Sequence, residues 1–274
     1  MTETAIRLLN VLLPIAYALS VAAYALEFFR ADRLAGRVAR RTMELALALH
    51  ASYLGLLTAR YAHVPLASTA ELLTTVAFAA AATYVFVERR SGVGSTGAFV
   101  VSFSFMLQTL SSAFIEPSAS FPELLRSPLF AAHTVAAVLG YTAFAVSAVY
   151  GALYLTLHWD LKRSHFGLVY DRLPPLETLA RMSLRAALFG VAFLTATIAI
   201  GSSWAAARFP GFSRDPKFLL TLAVWSIYVC AVWLHYGRQW SGRRAIRISL
   251  GGFSVLVLAV LASRLLFASF HVFA

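Results

Sequence analysis

Long apolar runs alternate with short polar breaks along this chain, at close to regular intervals. The runs fall near 6–29, 42–60, 66–87, 97–115, 128–157, 183–206, 217–236 and 246–269. Each meets or approaches the roughly 20 residues that an α-helix needs to cross a hydrocarbon layer about 30 Å thick. The runs are continuously apolar, which excludes the roughly ten-residue alternating strands of a transmembrane β-barrel. The pattern predicts an all-α, polytopic integral membrane bundle of about eight transmembrane helices. The runs and their breaks use up the length, and no low-complexity linker intervenes, so one integral membrane domain over residues 1–274 is expected. The first run lacks a basic n-region and a small-residue cleavage site. Glu27 and Arg30 close it like a helix end, so it reads as a permanent span.

The polar breaks carry the topology. Arg30, Arg33, Arg37, Arg40 and Arg41 follow the first run; Arg89 and Arg90 follow the third; Lys162, Arg163, Arg172 and Arg181 follow the fifth; Arg238, Arg243, Arg244 and Arg247 follow the seventh. Basic residues stay on the cytoplasmic side, so these alternate breaks are expected there. The other breaks hold Arg60; then Arg126 beside Glu116 and Glu123; then Arg208, Arg214 and Lys217. Both termini are therefore expected on the outer, periplasmic side of a bacterial cytoplasmic (inner) membrane.

Composition sharpens this picture. Hydrophobic residues are 60% and charged residues 13%, against about half and about a quarter in soluble domains. The formal charge of +11 is spread over separate breaks rather than gathered on one face, which argues against nucleic acid and for apposition to anionic membrane lipid. Cys230 is the sole cysteine and is expected to pack as a small hydrophobe in mid-helix. With no Cys-x-x-Cys-His, the chain carries no covalently attached c-type haem. Gly36, Gly92, Gly94 and Gly97 follow no strand and form no phosphate-binding fingerprint.

Candidate chemistry rests on the seven histidines. His63, His158 and His165 fall in breaks, where solvated roles are expected. His50 lies in the second run, His133 a turn inside the outer end of the fifth, His235 near the inner end of the seventh and His271 just past the outer end of the eighth. An imidazole at membrane depth is either a hydrogen-bonded packing residue or a ligand, and neutral imidazole suits iron. The topology brings His133 and His271 to the same outer surface, flanking the break from Arg208 to Lys217. Two imidazoles from separate helices can bind a haem iron axially. Trp204, Phe209 and Phe212 offer apolar faces for a macrocycle, and Arg208, Arg214 and Lys217 offer donors for its propionates.

At these residues the chain resembles the cytochrome c assembly proteins of the CcsA, CcmC and HemX type. The resemblance is carried by His133-Thr-Val-Ala-Ala-Val-Leu-Gly-Tyr141, Leu173-Pro-Pro-Leu-Glu-Thr-Leu179, Gly201-Ser-Ser-Trp-Ala205, Asp215-Pro-Lys217 and Trp240-Ser-Gly-Arg-Arg-Ala245, and it covers residues 128–274. It implies non-covalently bound haem b, with His133 and His271 as outer axial ligands and His235 in an inner, membrane-embedded haem site. His50 is a candidate inner partner for His235. The resemblance further implies cytochrome c assembly subunits as partners.

The family's outer loop is rich in tryptophan and ends in Trp-Asp-Pro-Lys, whereas here the stretch reads Arg208-Phe-Pro-Gly-Phe-Ser-Arg-Asp-Pro-Lys217. Phe209 and Phe212 keep aromatic surface without an indole N–H, and Arg214 puts a charge where the family has a ring. This departure is closest to the small HemX-like branch, associated with haem synthesis and its regulation. Two functions stay open: a haem-holding or haem-delivering factor in cytochrome c biogenesis, and a regulatory or scaffolding protein whose cytoplasmic loops bind a tetrapyrrole biosynthesis enzyme. A proton- or ion-coupled transporter, with His50 and His235 relaying protons, ranks below both, because internal repeats and broken helices are not seen. Neither leading reading is a classical enzyme, and no catalytic residue is assigned.

Two blocks also have local readings. Pro174 and Pro175 stop the preceding structure, and Leu176, Leu179 and Met182 then recur at spacing three, predicting a short amphipathic helix. Trp240, Arg243 and Arg244 read as an interfacial anchor.

Overall fold

The computed structural model describes residues 2–66, 68–115, 127–206 and 211–265. Its helices are α1 (Thr2–Arg30), α2 (Arg33–Tyr61), α3 (Thr69–Ser91), α4 (Gly97–Phe114), α5 (Pro128–Lys162), α6 (Leu168–Arg172), α7 (Leu176–Ala206), α8 (Pro216–Tyr236) and α9 (Gly242–Leu265). A 3-10 turn spans Phe212–Arg214. No strand occurs among the described residues, as expected of a membrane helical bundle.

Every predicted run has its helix, with two notable extensions. The basic segment after the first run is not a loop. Asp32 accepts from the Leu34 amide and caps α2 directly, so Arg37, Arg40 and Arg41 stand on helix α2. The short amphipathic helix expected after Pro175 is instead the opening of the long α7, whose first turn bonds back to the Pro175 carbonyl. Among the described residues, six helices, α1, α3, α4, α5, α7 and α8, are long and apolar enough to cross a membrane. The remaining long helices are more polar: α2 carries Glu44, His50 and Arg60, and α9 begins with Arg243, Arg244 and Arg247.

Hydropathy marks helices but not which of them pack together, and the chain forms two compact units: residues 1–126 with 164–174, and residues 127–163 with 175–274. In the first unit α1 packs on α2 and α4, and α3 on α2 and α4. Its core includes Leu13, Tyr53 and Leu57. Ser68 accepts from the Glu71 amide and starts α3, the opening of a Ser-x-x-Glu capping box. In the second unit α5 runs against α7 and α9, and α8 against α7 and α9. Its core joins Phe144, Ala187, Leu194, Val224 and Tyr228. Many large apolar side chains point outward, Val11, Phe86, Phe189 and Leu258 among them. Lipid accepts such a surface as water does not.

Cys230 departs from its expected packing. It lies on the exposed face of α8, because the buried positions of that helix, Val224, Tyr228 and Ala231, fall on another stripe.

Candidate functional site

The second unit is organised by a close antiparallel pairing of α5 with α7. A Cβ on Gly140 would stand 3.2 Å from the Leu194 amide, and a Cβ on Gly190 would collide with the Phe144 ring, so glycine on each helix admits the other. Lower on the pair, Ser183 Oγ donates to the Ser147 carbonyl at 2.9 Å. At the other end the same register brings Phe130 to Trp204, with ring centroids 6.3 Å apart, and His133 to Thr197 and Gly201.

His133 is half-buried, and its Nδ1 lies 3.0 Å from the Thr197 carbonyl oxygen. A carbonyl only accepts, so Nδ1 carries the proton and Nε2 keeps its lone pair. A backbone carbonyl that fixes the tautomer in this way is the usual second support of a metal-binding histidine. The ring occupies space that Gly201 leaves: a methyl there would meet His133 Cε1 at 2.6 Å and Nδ1 at 2.7 Å. Sequence spacing hides this relation, because Gly201 and Thr197 face His133 only through the α5–α7 register.

Beyond Trp204, Arg208 and Phe209 lie outside the described residues, as does His271. Phe212 sits in the 3-10 turn and meets Phe218 edge to face at 5.4 Å, while Arg214 is exposed. Asp215 is buried, and its Oδ1 accepts from the Lys217 and Phe218 amides at 2.9 and 3.2 Å. Asp-Pro-Lys is thus at once a helix start, with Asp as N-cap, Pro in the first turn and Lys217 on the same turn.

His235 repeats the tautomer of His133. Its Nδ1 donates to the Trp240 carbonyl at 2.9 Å, leaving Nε2 available, and its ring meets Tyr236 edge to face. Trp240 therefore supports a candidate ligand through its backbone as well as offering an anchoring ring, over which Arg244 stacks at 5.5 Å.

His50 belongs to the first unit and is fully buried. Thr74 donates to Gln108 Oε1 at 2.6 Å, so its oxygen accepts from His50 Nε2 at 2.8 Å, and His50 Nδ1 accepts from the Tyr17 hydroxyl at 2.9 Å. Gln108 continues to Ser112, whose carbonyl accepts from Asn10, which in turn takes the Tyr53 hydroxyl. One chain of hydrogen bonds crosses α1, α2, α3 and α4, and both nitrogens of His50 are engaged in it.

The histidines expected in solvated breaks divide. His63 is buried, with Nδ1 donating to the Val64 carbonyl and Nε2 3.8 Å from Glu71 Oε1; a buried acid at the start of α3 draws it inward. His158 stands on α5, stacks on Tyr154 and accepts from Arg243 Nη1 at 2.9 Å. His165 is exposed.

The chain is 26% identical to protein HemX of Bacillus subtilis (strain 168) over 261 residues, covering 94% of this chain and 95% of that one. It is 26% identical to the inner membrane protein YpjD of Escherichia coli (strain K12) over 165 residues, and the match spans 62% of that protein's length. It is 23% identical to the cytochrome c biogenesis protein CcsA of Guillardia theta over 229 residues, 76% of each chain. Together with the membrane-length helices, these relatives make it a multi-pass bacterial inner-membrane protein. The family match itself starts inside α2, well before the 128–274 to which the quoted blocks are confined. A profile of the family described as cytochrome C assembly protein matches residues 42–271, most of the chain, and this protein belongs to that family.

Proposed function

We propose that this protein binds haem b non-covalently at a site built on His133, and holds or delivers it in cytochrome c biogenesis. The observation that carries the reading is the His133 tautomer: Nδ1–H is tied to the Thr197 carbonyl and Nε2 is left with a free lone pair, in a ring space opened by Gly201. The described residues fit the group. Haem, if bound, would supply an iron that accepts imidazole nitrogens. His133 would hold the iron through Nε2; Phe130 and Trp204, one rung further along α5 and α7, would give apolar surface beside it. His271 is the proposed second ligand, with Phe209 and Phe212 as further apolar walls and Arg208, Arg214 and Lys217 for the propionates. The basic breaks face the cytoplasm in this reading, and His133 and His271 face the periplasm.

For an inner site, His235 has its Nε2 available. His50 would have to surrender a bond to Thr74 or Tyr17 to act as a ligand, so it enters the proposal as a tie between helices. Membrane lipid and cytochrome c assembly subunits are the expected partners.

A second reading is a HemX-like regulator or scaffold that engages a tetrapyrrole biosynthesis enzyme through its cytoplasmic loops. It is favoured by the match to protein HemX over nearly the whole of both chains and by the loss of tryptophan from the outer loop. Absorption spectra of the detergent-purified protein, oxidised and then reduced with dithionite, separate the two. A Soret band with sharp reduced bands that weaken in His133→Ala and His271→Ala supports the first. A haem-free spectrum, even after reconstitution, overturns it and leaves the second.

A further inference from the structure

A cavity of about 660 Å³ opens in the first unit, lined by Glu27 at the end of α1, Asp32, Arg37 and Arg40 at the start of α2, and Asp171 and Arg172 of the 164–174 segment. Part of this charge is already engaged. Arg40 Nη1 lies 3.5 Å from Glu88 Oε1, and the other Glu88 oxygen accepts from Tyr24 at 2.6 Å. Asp32 is occupied in capping α2. Among the described residues, Arg37, Arg172, Glu27 and Asp171 have no ion-pair partner. Arg172 Nε and Glu27 Oε2 are buried with no hydrogen-bond partner. Glu27 is also held from two sides by glycine: a Cβ on Gly36 or on Gly94 would stand 2.6 Å from its Oε1. Two separate elements thus leave room for this one carboxylate.

Arg37 and Asp171 are exposed, but a buried polar atom without a partner is costly, and Arg172 and Glu27 each leave one, of opposite sign, in the same cavity. A simple anion would lie against Glu27 and Asp171, and a simple cation against Arg37 and Arg172. A zwitterion satisfies both: an oxyanion between the guanidinium forks and an ammonium at the carboxylates. The cavity sits where α1 ends and α2 begins, and on those same helix ends Phe29 and Leu34 are 61% and 59% exposed. Those side chains offer an acyl chain a surface beside the headgroup.

We propose that this cavity binds the headgroup of an aminophospholipid of the phosphatidylethanolamine class, its phosphate between Arg37 and Arg172 and its ammonium at Glu27. The site is separate from the His133 chemistry and stands whether or not haem is bound.

Native mass spectrometry of the detergent-purified full chain, with equal amounts of phosphatidylethanolamine and phosphatidylglycerol, tests it. The expected preference is about tenfold for phosphatidylethanolamine. Arg37→Gln and Arg172→Gln should each lower its occupancy about tenfold, and Glu27→Gln should equalise the two lipids. Arg90→Gln, on the exposed end of α3, should change nothing. Melting temperatures identify any variant that fails to fold, and Arg172→Lys, which keeps the charge, then serves in its place and should retain most of the lipid. Equal occupancy of both lipids in the unaltered protein, or no change in Arg172→Gln, overturns the proposal. Water-soluble glycerophosphoethanolamine binding as strongly as the lipid, and lost in the same variants, overturns the lipid as occupant in favour of a free ester.

Discussion

His133 and Gly201 share one rung of the α5–α7 interface, so close that a single methyl on Gly201 would stand 2.6 Å from the imidazole. Gly201→Ala should therefore displace the ring and break the bond from Nδ1 to the Thr197 carbonyl. Alanine ordinarily stabilises a helix interior over glycine by about 0.5–1 kcal/mol. Here the expected sign is reversed, with a loss of about 1–3 kcal/mol from overpacking and a fall in haem content. Thermal unfolding in detergent and the haem-to-protein ratio check both; a Gly201→Ala protein that is more stable and keeps its haem would contradict the geometry.

Alanine at His133 or at His271 should lower haem retention several-fold. Alanine at His158 should leave it unchanged. His63→Ala should also leave haem unchanged but lower stability, because His63 is buried against Glu71. Pyridine haemochrome assay of the four proteins side by side decides this. Equal haem in all four would remove the His133 site from consideration.

His50 ties α2 to α1 and α3 through two hydrogen bonds of its own, and Thr74 carries the chain on to Gln108 of α4. His50→Leu keeps most of the volume but strands the Tyr17 hydroxyl and takes from Thr74 the hydrogen bond it accepts, at a cost of about 1–3 kcal/mol. His50→Gln, which both donates and accepts, should recover part of that loss. Thermal melts of the two variants are the measurement, and a His50→Leu protein as stable as the original would show that the chain of hydrogen bonds contributes nothing.

Asp215 separates a capping role from a chemical one. Asp215→Ala should cost about 1 kcal/mol through the lost N-cap, and Asp215→Asn should cost little, since asparagine caps equally well. If haem retention falls in the asparagine variant while stability holds, the carboxylate charge matters beyond the cap.

Hydropathy was enough to find every long helix, because membrane length and apolarity are properties of contiguous sequence. It misplaced the start of α2, where a two-residue break capped by Asp32 left no loop for the arginines. The candidate ligands His133 and His235 were legible as imidazoles at depth, but their supports were not: Thr197 and Trp240 act through backbone carbonyls, which any side chain would provide. Burial of His63 was equally hidden, since it depends on Glu71 folding back from the next helix. The Glu27 cavity was least legible of all. Its glycines, Gly36 and Gly94, belong to no motif and meet only around a carboxylate from a third element.

The segment 164–174 packs with the first unit although the chain on both sides of it belongs to the second. Neither unit is therefore one continuous stretch of sequence. A gene fragment ending at residue 126 would encode the first four helices without Asp171 and Arg172, and a fragment starting at 127 would carry that segment with nothing to receive it. A single cut after 126 keeps the second unit whole and a single cut after 174 keeps the first whole, but no single cut delivers both.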